Sequence, residues 1–204
     1  MLNFGFYSNS QSIQMSSDFI HDQKYQHEIF NENDIKFKEF ENCTFEYCDF
    51  TQCIFLSVVF LDCTFLHCNF NDTKINYVSL RGVEFNDCNF TNVNFAMTDQ
   101  VIYYFNFTNC RLDFTKFYSL KLKKMHFTGC SLISADFMET DLSETVFDNC
   151  DLRRTVFYKT NLSKTDFSTS YHFSIDPEQN KMKKAKFSTD GLKGLLEKYD
   201  LVIS

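Results

Sequence analysis

Large apolar residues return at every fifth position along most of this chain. They fall at Phe40, Phe45, Phe50, Phe55, Phe60, Phe65, Phe70, Ile75, Leu80, Phe85, Phe90 and Phe95. After a slip of two residues the series resumes at Ile102 and Phe107. It then runs through Leu112, Phe117, Leu122, Phe127, Leu132, Phe137, Leu142, Phe147, Leu152, Phe157, Leu162 and Phe167. A second rule holds two residues before each of these centres. All nine cysteines stand there (Cys43, Cys48, Cys53, Cys63, Cys68, Cys88, Cys110, Cys130 and Cys150), and most other such slots hold Val, Thr or Ala. The remaining three positions of each five are polar.

Neither a helix, with period 3.6, nor a flat strand, with period 2, repeats in fives. A chain that turns a corner every five residues does, and four such sides close a square coil of about 20 residues. The cysteines support that number, since they recur 20 apart as Cys43 and Cys63, as Cys48, Cys68 and Cys88, and as Cys110, Cys130 and Cys150. From Phe107 onward the centres alternate Phe and Leu, so opposite sides carry the same residue. The pattern predicts an all-β, four-sided parallel β-helix over 36–172. Its centres and the residues two before them point inward and stack from coil to coil at about 4.8 Å. Leu120 and Met125 are large for the slot before a centre, which predicts a local bulge over 118–126.

Composition and charge narrow the function. The chain has 26 Phe and 10 Tyr but no Trp, five Gly and one Pro, and a net charge of −7. Residues 39–99 hold nine acids against two bases, whereas residues 111–204 hold thirteen acids against fifteen bases. An acidic chain is a poor direct ligand for nucleic acid and suits a protein partner with a basic groove. No apolar run reaches the 18 or so residues of a membrane span. Met1 to Asp18 lacks the basic and apolar regions of a signal peptide, so a cytoplasmic location is expected.

Ala135-Asp136-Phe137-Met138-Glu139, Thr140-Asp141-Leu142-Ser143-Glu144 and Thr160-Asn161-Leu162-Ser163-Lys164 resemble the A(D/N)LXX consensus of the pentapeptide-repeat family. That resemblance covers about 36–172 and implies a right-handed quadrilateral β-helix. Past the repeats, Lys186 to Tyr199 reads as a short helix with Ser188 as N-cap, and Leu201-Val202-Ile203 as a short strand. This layout resembles the Qnr and MfpA group of topoisomerase-protecting pentapeptide proteins. The likeness implies a rod that mimics DNA, engages DNA gyrase or topoisomerase IV, and gives quinolone or toxin tolerance. It also implies a homodimer joined end to end through the C-terminus. The unbroken repeat from Phe40 to Phe95 and the short slip at Ala96–Val101 leave no room for the long loops that some members carry.

Candidate chemistry is sparse. The cysteines read as small core residues, because neighbours five apart lie on different sides and those 20 apart stack. His21, His27, His67, His126 and His172 are scattered, and none is paired with a Cys, Ser or Asp in a nucleophile pattern. The expectation is therefore a non-enzymatic protein without catalytic residues, metal or cofactor. The candidate partner surface comprises Glu46, Asp49, Asp62, Asp72, Glu84, Asp87 and Asp99, with Met97, Tyr103 and Tyr104 from the irregularity at 96–106. Those acids serve either solubility or a phosphate-like field. The alternative to a topoisomerase ligand is a structural scaffold for another protein. A continuous negative stripe would favour the first, and a patchy surface with one apolar patch the second. Leu192, Leu195, Leu196, Tyr199, Leu201 and Ile203, within the segment 173–204, are the expected dimer interface. Leu56, Leu61 and Leu66 stand at outward positions, and the extension 1–35 is expected to cover them or cap the first coil.

Overall fold

The computed structural model describes residues 18–99 and 104–202. It is a right-handed, four-sided parallel β-helix in which each strand pairs with the one 20 residues further on, or 22 across the slip. Asp18–His21 lies against Lys38–Glu41 (Phe19 opposite Glu39), and Lys38–Glu41 lies against Val59–Leu61. Thr44–Glu46 likewise lies against Thr64–Leu66. We number the sides by their centres. The first holds Ile20, Phe40, Phe60, Leu80, Leu122, Leu142 and Leu162; the second Tyr25, Phe45, Phe65, Phe85, Phe107, Phe127, Phe147 and Phe167. The third holds Phe30, Phe50, Phe70, Phe90, Leu112, Leu132 and Leu152; the fourth Ile35, Phe55, Ile75, Phe95, Phe117, Phe137 and Phe157.

The centres build the core as ring stacks. Phe45 and Phe65 stack with centroids 4.7 Å apart, Phe70 and Phe90 at 4.4 Å, and Phe117 and Phe137 at 4.7 Å. Rings on adjacent sides meet edge to face, as Phe40 and Phe45 do at 5.5 Å and 73°. Each such pair contributes about 0.5–1.5 kcal/mol beyond the area it buries.

The slot before each centre does more than fill space. Its side chain donates to the carbonyl of the centre 23 residues earlier. Thr145 Oγ1 reaches the Leu122 carbonyl at 2.6 Å, Thr160 reaches Phe137 at 2.9 Å and Ser170 reaches Phe147 at 2.8 Å. Cys63 Sγ reaches Phe40 at 3.4 Å and Cys150 reaches Phe127 at 3.3 Å. Reading the cysteines only as small core residues therefore missed a donor role, which explains why Cys, Thr and Ser interchange in this slot.

The corners use the left-handed backbone region two residues after each centre. Asn42, Tyr47, Gln52, Ser57 and Asp62 have φ between 51° and 58°. A non-glycine residue there costs about 1–2 kcal/mol. Each corner N–H donates across to the next coil, as Asn42 does to Leu61 and Tyr47 to Leu66, both at 2.9 Å. Asp or Asn just before a centre also tightens the turn. Asp136 Oδ1 accepts from the Met138 N–H at 2.8 Å, and Asp49 Oδ1 accepts from Thr51 at 2.9 Å. This is the physical content of the D/N in the consensus.

Several expectations need correction. The solenoid is longer than 36–172 at both ends. Residues 18–35 form a coil of their own, closed by the single helical turn Glu32–Ile35 with Asn31 as its N-cap and Ile35 buried. At the other end Lys181 pairs with Asn161 and Lys186 with Asp166. Leu56, Leu61 and Leu66 are not covered by residues 18–35; they sit half-buried in outward columns, Leu61 between Glu41 and Arg81 and Leu66 between Glu46 and Asn86. Residues 1–17 lie outside the described part. No bulge forms over 118–126: Leu120 and Met125 are buried while Lys121 still pairs with Asp141 and His126 with Val146. Leu rather than Phe at the nearby centres Leu112 and Leu122 leaves the volume they need. The C-terminal helix is two 3₁₀ turns, Asp190–Leu195 and Glu197–Tyr199. Ser188 Oγ does accept from the Gly191 N–H, at 3.1 Å. Leu201 and Val202 are not in a strand, and Ile203 lies outside the described residues.

Candidate interaction surfaces

Three positions in each five face outward, so a surface is set by position within the 20-residue coil. The acids expected to form one surface are spread around the rod. Glu46 and Glu84 lie on the second side and Asp49 on the third. Asp62, Asp72 and Asp87 occupy three different corners, all with φ near 50–56°. Much of this charge is engaged locally. Lys24, 2.9 Å from Glu46, and the Gln26 amide hold the Glu46 carboxyl below the usual carboxylate range. Asp72 accepts from Asn92 at 2.6 Å, Glu84 from Asn106 at 3.0 Å, and Asp87 lies 3.9 Å from His67. The described residues present a patchy charge rather than one continuous negative stripe.

The irregularity expected at 96–106 is described at its two edges, 96–99 and 104–106. A 3₁₀ turn, Phe95–Met97, follows Asn94, whose side chain accepts from the Ala96 N–H at 3.1 Å. Register is regained between Tyr104, which pairs with Arg81, and Phe105, which pairs with Val83. Phe105 fills a slot that mostly holds Cys, Thr or Val, and it is buried. Met97 and Tyr104 are exposed but on different sides: the Met97 carbonyl accepts from the Tyr77 N–H on the fourth, and Tyr104 pairs with Arg81 on the first. Tyr103 lies outside the described residues.

The fourth side carries a feature that the block-by-block reading of charge missed. Tyr77 (67% exposed), Met97, Tyr118, Val156 and Tyr158 stand out from it, with Leu56 and Met138 half-buried in the same band. Their common side follows from the ladder beneath them. Leu56 pairs with Asn76, Tyr77 donates to the Met97 carbonyl, and Lys116 pairs with Asn94 and Asp136. The signal was present as apolar residues at outward positions spaced by multiples of about 20. Lys159 lies over the Tyr158 ring at 5.3 Å.

At the C-terminal end Leu192, Leu196, Tyr199 and Leu201 are exposed, whereas Leu195 packs on the core. The segment is pinned by Lys198, 2.7 Å from both Asp176 and Glu178, and by Tyr199 Oη, which donates to Glu178 at 3.0 Å. An open hollow of about 1130 Å³ lies between this segment and the last coil, lined by Ser170, Tyr171, His172, Gly191 and Leu201 among others. Among the described residues no three His, Cys, Asp or Glu converge on a metal position. No helix among them is long and apolar enough to cross a membrane. Burial pushes the Cys53 thiol up to about 11 and the Cys63 thiol up to about 12.

Comparison with known proteins agrees with this geometry. Residues 102–171 match the family model described as a pentapeptide repeat region, and residues 68–99 match that of pentapeptide repeats in eight copies. Among curated proteins no relative is found by sequence. Among solved structures, full-length QnrB1, a plasmid-mediated fluoroquinolone resistance protein, is similar with a TM-score of 0.61. It is 16% identical, and the match covers 90% of this chain and 100% of that one. A trypsin-treated variant of QnrB1 is similar with a TM-score of 0.53 and 18% identity, covering 91% of this chain and 99% of the other. At these identities the likeness speaks for the fold.

Proposed function

The chain belongs to the pentapeptide-repeat family, and from that premise we propose that it is a non-catalytic rod that binds a protein partner through its fourth side. The observation that carries this reading is the exposed band along the fourth side, with Tyr118, Val156 and Tyr158 flanking its centres and Tyr77 and Met97 at its corner. Aromatic and methionine side chains are enriched where proteins meet, and a contiguous exposed apolar band marks such a surface. The sheet beneath holds them rigidly, so little side-chain and loop ordering opposes binding. The test is capture of partners from a lysate by the wild-type chain and by Tyr118→Ser/Tyr158→Ser. Partners retained equally by both would remove the fourth side from the proposal.

A second, more specific reading is that the partner is a type II topoisomerase, DNA gyrase or topoisomerase IV. The match to QnrB1 over nearly the whole of both chains supports it. Electrostatic mimicry of DNA is the weaker version of this idea, because the acids are divided among sides and the C-terminal half of the first side is basic. A supercoiling assay with purified gyrase, with and without ciprofloxacin, decides it. Rescue under drug, or inhibition without it, supports a topoisomerase partner; no effect at tens of micromolar leaves the general binding rod. The end-to-end homodimer belongs to the same reading, with the exposed Leu192, Leu196 and Leu201 as its contact.

A further inference from the structure

Two basic runs of identical spacing occur in the chain, Lys121-Leu122-Lys123-Lys124 and Lys181-Met182-Lys183-Lys184. Both lie on the first side. Lys121 pairs with Asp141, Asp141 with Asn161, and Asn161 with Lys181, so the runs share their columns three coils apart, about 14 Å at strand spacing. Leu122 is buried and Met182 packs on the core, which leaves all six lysines facing solvent. Between the runs stand Asp141, 3.2 Å from Lys123, and Glu144, 3.4 Å from Lys164.

The N-terminal end of the same side is acidic in the same columns, and Arg81 follows it. Glu39 and Glu41 flank Phe40, Asp62 follows at the corner after Phe60, and Arg81 follows Leu80. Lys38 lies half-buried in the slot before Phe40. Along the axis the outward charges therefore read acidic at Glu39 and Glu41, acidic at Asp62 and basic at Arg81. They continue uncharged at Tyr104, basic at Lys121, Lys123 and Lys124, acidic at Asp141 and Glu144, and basic at Lys164 and then Lys181, Lys183 and Lys184. Reversed and laid against itself, this series is complementary at each step. The Glu39 and Glu41 coil meets the Lys181–Lys184 coil, Asp62 meets Lys164, Arg81 meets Asp141 and Glu144, and the Tyr104 ring meets the Lys121–Lys124 run. The last contact sets lysine against an aromatic face.

We infer that the first side is a self-complementary contact through which two copies of this chain pair side by side and antiparallel. Such a pairing is two-fold symmetric, so every contact occurs twice. It goes beyond the partner-binding role proposed above and uses a different side of the rod. A phosphate polymer fits less well, because Asp141 and Glu144 would repel it between the two lysine runs. The contact spans about eight coils, roughly 38 Å by 16 Å, and would bury about 1,200 Å² in total. That area is at the low end for specific association, and the contact is charged, so the pairing is of modest affinity and sensitive to salt.

Sedimentation velocity on the full chain tests this. The wild type is expected to self-associate at about 50 mM NaCl and to weaken about tenfold or more at about 500 mM, where screening is strong. Glu39→Lys/Glu41→Lys and Lys181→Glu/Lys183→Glu/Lys184→Glu should each abolish the salt-sensitive association, leaving only pairing through the C-terminal leucines, with circular dichroism confirming the fold. Mixed in equal amounts, the two variants should associate again, since each supplies the charge that the other lost. Three results would overturn the inference. One is a wild type that stays monomeric at about 100 μM in low salt. Another is a dimer indifferent to both variants and to salt, which would place the contact at the C-terminal leucines. The third is a wild type that binds a short DNA duplex through the lysine runs without self-associating.

Discussion

Thr145→Val isolates one bond of the ladder that joins the coils. Thr145 is fully buried and its hydroxyl donates to the Leu122 carbonyl at 2.6 Å. Val has nearly the same shape, and Val58, Val78, Val83 and Val93 are already buried in equivalent slots, so the substitution adds no clash. What it removes is the donor, and a buried carbonyl that loses its hydrogen bond costs about 1–3 kcal/mol. For a chain of this size each kcal/mol lowers the melting temperature by about 2–4 °C. Thr145→Cys is the control, because a thiol donates in the same slot at Cys63 and Cys150, though more weakly. Thermal unfolding followed by circular dichroism should rank Thr above Cys and Cys above Val. A Val variant as stable as the Cys variant or better would show that the slot selects for volume alone.

Gly82→Ala should destabilise by about 1–2 kcal/mol from its left-handed backbone alone, at φ +65°. Its new Cβ would also collide with the Asp62 carboxylate, so Asp62→Ala should relieve part of the loss in the double variant; urea titration of the four chains measures both terms. Acid should release the C-terminal segment before the solenoid. Hydrogen bonds from Lys198 hold the carboxyls of Asp176 and Glu178 below their usual values. Their contribution is therefore complete above the ordinary carboxylate pKa of about 4 and is lost as the pH falls through the lowered folded values. Protection factors of the amides at 190–199, taken relative to intrinsic exchange at each pH, should fall in that range and lose that step in Lys198→Ala; uniform protection factors down to pH 2 would contradict the pinning.

The period-five series was enough to place nearly every buried ring, because one position is filled again and again by residues that have no other use on a solvated surface. The ends were missed for a physical reason. Ile20, Tyr25, Phe30 and Ile35 continue the series backwards, but the slots before them hold Asp18, Gln23, Glu28 and Asn33. At an open end that slot meets water, and the rule that marks the interior fails there. The surfaces were harder to read. Glu46 and Asp49 are neighbours in sequence and lie on different sides, whereas Lys121 and Lys181 are 60 residues apart and share a column. Charge counted along the chain blends what the coil separates. The donor role of Cys and Thr was visible only as an unexplained interchange, since a carbonyl 23 residues away leaves no mark of its own in the sequence.

The fixed register also makes the chain a ruler with two scales. Adding or removing 20 residues moves everything beyond by one strand spacing along the axis and leaves each side facing as before. Adding five residues turns everything beyond through a quarter circle and exchanges one side for the next. The two-residue slip before Phe105 does neither: Phe107 still lies over Phe85 and Phe117 over Phe95. Length can therefore vary in this molecule independently of orientation, and the spacing between two contact points can be reset without redesigning either of them.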